Sequence, residues 1–148
     1  QDLKNQLSLV LDDVQDPGNF GTIIRTADWF GIKNIICSEN TVEAYNPKTV
    51  QSTMGSLCRV NVRYTQLNEF LKGAKLPIYG ALLDGQNIYK TQWENEGLIL
   101  LGNEGHGISK ELIAKISVPI TIPRIGAAES LNVAVSAAIF CSEISRDK

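Results

Sequence analysis

The sequence predicts an α/β domain: a mostly parallel sheet flanked by helices. Two observations carry this. Short, almost continuous apolar runs recur along the chain, as in strands buried on both faces. Between them lie segments whose apolar residues return every three or four positions, as on one face of a helix. The chain has 148 residues, 43% hydrophobic and 20% charged. That is ordinary for one globular domain, and such a domain buries roughly 68–70% of its unfolded surface.

Leu7 to Leu11 (LSLVL) reads as a buried strand. Asp12 to Asn19 reads as a loop with Pro17-Gly18 as its turn. Phe20 to Phe30 has apolar residues at 20, 23, 24, 27 and 30, a helical face that Gly31 ends. Asn34 to Cys37 is a second strand. Pro47 to Met54 is a helix with proline in its first turn. Val60 to Tyr64 alternates like a strand, Leu67 to Leu71 is a short helix, and Ile78 to Leu83 is a strand. Gly97 to Leu101 (GLILL) is another buried strand. Lys110 to Ile116 is a helix capped by Ser109, with Leu112 where a capping box wants Glu or Gln. Val118 to Ile122 is a strand. The last helix, Asn132 to Ser145, is apolar at every position from Val133 to Cys141 except Ser136, so burial all round is expected.

No apolar run approaches the ~18 residues of a membrane span, and no basic-then-apolar signal opens the chain. Three distant cysteines, Cys37, Cys58 and Cys141, suit neither a disulfide framework nor a thiolate zinc site. They read as reduced core residues of a cytoplasmic protein. One histidine, His106, leaves little for a His-based metal site or a triad. Asp12, Asp13 and Asp84 read as caps or solvated loop acids, and no metal is expected. The formal charge of −2 is unlike a dedicated nucleic-acid binder. Such a partner requires a local basic surface or a segment outside this chain, and a start at Gln1 rather than Met fits a fragment of a longer protein.

Three motifs carry the chemistry. Gly102-Asn103-Glu104-Gly105-His106-Gly107 joins a buried strand to a helix, where parallel sheets bind ligands. It matches neither G-x-G-x-x-G nor a P-loop. It is either a tight glycine turn or a ligand loop, and Glu104, flanked by glycine and with little to pack against, favours the second. Asn19-x-Gly21-x-x-x-Arg25 opens a helix. Asn19 is a natural N-cap, and Arg25 is a solvated group, a partner for Asp28, or a bidentate grip on phosphate. Ser130-Leu131-Asn132 is a cap for the last helix or a site turn.

Together these motifs resemble those of the catalytic domain of the SpoU (TrmH) group of SPOUT RNA methyltransferases. DPGNFGTIIRTADWFGI (Asp16 to Ile32) is similar to the first family motif, LLGNEGHGIS (Leu100 to Ser109) to the second, and IPRIGAAESLNVAVSAAI (Ile122 to Ile139) to the third. Order and separation also agree, so the likeness spans essentially the whole chain. Arg124 departs from the pattern, standing where the family often has Met, beside the expected cofactor loop.

The resemblance implies a single catalytic domain over residues 1–148 with a C-terminal deep trefoil knot, and an N-terminal RNA-recognition segment outside this chain. It implies a homodimer that transfers methyl from S-adenosylmethionine to a ribose 2′-OH of structured RNA, ribosomal RNA favoured over transfer RNA, with no DNA or membrane partner. Leu83, Gly102, Asn103, Gly107, Ile122 and Leu131 would hold the cofactor. Arg25, Asn19, Glu104, Ser130 and Asn132 fall on the active-site positions. Arg25 is then either a transiently neutral base or a charged grip on phosphate and alkoxide; a guanidinium is in general a poor base. The competing reading is a catalytically inactive knotted RNA-binding protein. An NAD enzyme is disfavoured by the missing G-x-G-x-x-G.

Overall fold

The computed structural model describes residues 2–53 and 55–148. Gln1 and the expected helix end at Met54 lie outside the described residues. Six strands form one sheet in the order β3-β2-β1-β5-β4-β6. They are β1 (Leu7–Leu11), β2 (Asn34–Ser38), β3 (Asn61–Thr65), β4 (Ile78–Asn87), β5 (Gly97–Leu101) and β6 (Val118–Thr121). Every pairing is parallel.

The period of two decides which side chains meet which helices. Leu7, Leu9, Leu11, Ile35, Cys37, Ile99 and Leu101 face a core shared with α1 (Pro17–Trp29) and α5 (Val133–Ile144). Val10, Ile36, Leu98 and Leu100 face a smaller core with α3 (Leu67–Gly73) and α4 (Lys110–Ile113). α2 (Pro47–Thr53) packs on α1. A Cβ on Gly21 would lie 2.2 Å from the Cβ of Ser52, so that glycine serves a close helix crossing.

Several expectations are corrected. Pro17-Gly18 is no turn: α1 begins at Pro17, in the first-turn position proline favours. Its N-cap is Asp16, whose carboxylate accepts the Asn19 N–H at 3.2 Å, so Asn19 is not the cap. β4 runs on to Asn87, because its register against β6 shifts between Ala81 and Gln86. Pro119 is tolerated in β6 because that strand is at the sheet edge. α4 stops at Ile113, a turn earlier than expected. Ser109 stands at its N-cap, without a side-chain cap bond. α5 is not buried all round in the single chain, since Val135 is 47% exposed. Cys37 and Cys141 are buried, and burial pushes the Cys141 thiol up to about 12. Cys58 is exposed, contrary to the core assignment.

Candidate active site

Going outward from β1, the chain steps to β2 and β3 on one side and to β5, β4 and β6 on the other. The β1–β5 boundary is therefore a switch point, where loops at the carboxyl ends diverge and leave a crevice. After β1 the chain runs through Asp12 to Asp16 into α1. After β5 it makes the glycine loop.

That loop is tightly self-bonded. Asn103 and Gly107 exchange N–H···O bonds of 3.0 Å in both directions. The Asn103 side chain accepts from Gly105 N–H at 2.7 Å and donates to Asp13 O at 2.7 Å. A Cβ on Gly102 would stand 2.2 Å from the carbonyl carbon of Gly107, and Gly107 has φ +72. The tight-turn reading is thus correct for both glycines, and the loop borders a cleft as well. Asp12 and Asp13 serve the same frame: Asp12 accepts the Ser109 N–H at 2.8 Å, and the Asp13 N–H donates to Ser38 Oγ at 2.8 Å. Asp13 sits in the left-handed region with φ 61, its carboxylate 3.4 Å from His106 Nε2.

Glu104 joins the motifs. Its carboxylate accepts the N–H of Gln15 at 3.1 Å and of Asp16 at 2.7 Å, just ahead of α1. Asn19 Nδ2 approaches the same carboxylate at 3.4 Å. Asn132 Nδ2 in turn donates to Asn19 Oδ1 at 3.0 Å. Asn132 Oδ1 meanwhile caps α5, accepting from the N–H groups of Ala134 and Val135. One hydrogen-bonded chain therefore links all three sequence motifs. Partial burial works against ionisation of Glu104, but the backbone N–H groups and Asn19 outweigh it and hold the carboxyl below the usual glutamate range. Far from lacking a packing role, Glu104 anchors the start of α1.

Beside this chain opens a cleft of about 590 Å³, within the roughly 300–1,000 Å³ of small-molecule sites. Ala81–Leu83, the glycine loop, residues 121–131, Val133, Ser136 and Phe140 line it. All six expected cofactor residues are there: Leu83, Gly102, Asn103, Gly107, Ile122 and Leu131. So are Glu104 and Ser130. Leu83 reaches the rim on the irregular stretch of β4 and is 80% exposed. Asn19 and Asn132 join the cleft through Glu104. Arg25 lies on the exposed surface of α1 and is not among the lining residues. Asp28, its suggested partner, is held by Arg59 at 2.8 Å and by Ser56.

The sequence reading missed Asp16 as the cap and Gln15 as a backbone donor, although Asp before Pro is itself a helix-start signal. Val133, Ser136 and Phe140 were assigned only to the last helix. Their spacing of three and four on one face was the available sign that this helix also walls the cleft.

An all-parallel α/β domain with a small-molecule cleft walled by a glycine loop and its last helix is a ligand-binding architecture. The chain belongs to the SpoU rRNA Methylase family, whose model matches residues 6–142. It is 40% identical over 135 residues to a 23S rRNA guanosine 2′-O-methyltransferase of Bacillus subtilis, covering 88% of this chain and 54% of that protein. A TrmH-family protein structure from Porphyromonas gingivalis matches with TM-score 0.92 and 44% identity, over 97% of this chain and 60% of that one. An AdoMet-bound rRNA methyltransferase structure from Sinorhizobium meliloti matches with TM-score 0.89 and 32% identity, over 96% and 56%. The chain thus spans 54–60% of the length of these three relatives. No helix among the described residues is long and apolar enough to cross a membrane.

Proposed function

We propose that this chain is the catalytic domain of a cytoplasmic RNA 2′-O-ribose methyltransferase that uses S-adenosylmethionine. The observation that carries this is the Glu104–Asn19–Asn132 chain bordering a cleft lined by every expected cofactor residue. The similarity to an rRNA methyltransferase and to an AdoMet-bound relative supports it.

The cleft suits this donor. Leu83, Ile122, Leu131 and Phe140 offer apolar contact for an adenine ring, and the glycine loop brings backbone within reach. Bound there, S-adenosylmethionine supplies an electrophilic methyl group on a sulfonium. Glu104 fixes the start of α1 relative to the cleft. Asn132 donates its amide N–H to Asn19 Oδ1, leaving Ser130 on the cleft wall to meet the ribose. Arg25, exposed on the helix whose start Glu104 anchors, stays charged, grips the RNA phosphate and stabilises the developing alkoxide while the 2′-proton leaves by another route. The 2′-hydroxyl requirement selects RNA over DNA, and ribosomal RNA is the favoured substrate by the B. subtilis relative.

The same reading includes a C-terminal trefoil knot and a homodimer. β6 lies at the sheet edge beyond β4, yet α5 returns to pack on α1, so residues 122–132 cross the strand ends. Exposed Leu83, Ile125 and Leu131 line the cleft and, with exposed Val135 on α5, suit a second copy.

Arg25→Ala tests the chemistry. Methyl transfer to RNA should fall by at least about 100-fold, the scale of losing one alkoxide-stabilising donor, while calorimetry shows donor binding nearly intact. Full transfer by this variant sinks the role of Arg25. A native chain that binds RNA but not S-adenosylmethionine would instead be an inactive knotted RNA-binding protein.

A further inference from the structure

Arg124 has a contact that its place in the third motif does not explain. Its guanidinium Nη1 donates to the carbonyl oxygen of Ala128 at 3.1 Å, closing a loop across four residues. Arg124 and Ala128 both line the cleft. The surrounding segment has little else to fix it. Every residue from Arg124 to Asn132 is exposed, Ile125 at 99%. Among the described residues, no backbone–backbone hydrogen bond outside the regular elements involves residues 122–131. Pro123 restrains a single φ before the stretch begins.

We propose that Arg124 is a positioning residue for the methyl donor, stapling residues 124–128 in the shape that forms the cleft wall. This rests on the reading of the cleft as the S-adenosylmethionine site. A loop that must be ordered by its ligand lowers affinity by the fraction of time it spends in the wrong shape. A charged donor on a carbonyl oxygen is among the stronger single bonds available to an exposed loop. The guanidinium is planar and keeps further donors for solvent or ligand, so one side chain can span the turn without a second partner.

A direct grip of Arg124 on the donor's carboxylate would produce a similar loss of affinity. A ligand without that carboxylate separates the two. Calorimetric titration of the native chain, Arg124→Met and Arg124→Lys with S-adenosylmethionine and with 5′-methylthioadenosine is the experiment. The Met variant should weaken both ligands by the same factor, about three- to tenfold, with part recovered by Lys. The KM for the donor should rise by that factor with a smaller change in kcat, and thermal unfolding of the free chain should not move. A loss confined to S-adenosylmethionine overturns the staple in favour of a carboxylate contact. Native affinity in the Met variant overturns it outright. If the native chain binds neither ligand, the reading of the cleft fails and this inference fails with it.

Discussion

The glycine loop and the segment from Arg124 to Leu131 line one cleft, yet they are built in opposite ways. The first is closed by a two-way backbone bridge, an asparagine that bonds along the loop and across to Asp13 beyond β1, and a glutamate tied to the start of α1. The second is solvent-exposed and bonded within itself by Arg124. A preformed wall costs a ligand no ordering, whereas an open wall can admit and enclose it. One wall is therefore preformed by the fold, and the other is held by one side chain.

The sharpest way to break this contrast is Gly102→Ala. The new methyl meets backbone rather than a yielding side chain. A loss of about 3 kcal/mol is expected, the upper end for overpacking, or a melting temperature lower by roughly 6–12 °C. Thermal unfolding checks this, and a neutral result would mean that the glycine loop is as pliant as its opposite.

Glu104→Gln is next. The Gln15 and Asp16 N–H groups use separate carboxylate oxygens, one of which becomes a donor NH2 in the amide, and about 1 kcal/mol should be lost at pH 7, a low figure because the side chain is exposed. The pH dependence fixes the sign. The folded carboxyl titrates below its ordinary value, so as pH falls the unfolded chain takes up the proton first. The native advantage over the Gln variant should be complete above the ordinary glutamate pKa of about 4.3. It should vanish as pH drops through the lower folded value. Denaturant titrations at several pH values would show this, and a constant gap would remove Glu104 from the frame.

The smallest effect belongs to the open wall. Ile125→Ser should leave the stability of the single chain within about 0.5 kcal/mol, because the side chain is 99% exposed. A larger loss in chemical denaturation of the monomer would show that this segment is packed after all.

The sequence was most informative where burial dictates residue type. LSLVL and GLILL are strands buried at every position, and their apolar runs have few other interpretations. The α5 boundary was also visible, since Asn132 caps it by the local rule for asparagine. What failed depended on partners elsewhere. Pro17-Gly18 suits a turn and a first helical turn equally; Asp16 just before it is the local sign of a helix start, and Glu104 holds that start from a distant loop. β4 outruns its expected end because Ile120 and Thr121 of β6, 34 residues later, pair with Gln86 and Asn87. The cleft residues were legible as motifs. That Glu104 and two asparagines would bond in series was not, because it depends on how three distant segments cross.

That series has a consequence in time. Its links join positions 85 and 113 residues apart. The second closes a longer loop than the pairing of β1 with β5, and it gains nothing until the intervening strands have paired. The site should therefore be among the last features to mature as the protein folds. A growing chain that has not yet released residues 130–144 from the ribosome has no Asn132 to close the series and no final helix to wall the cleft. The cleft therefore stays incomplete until the end of the chain is in place.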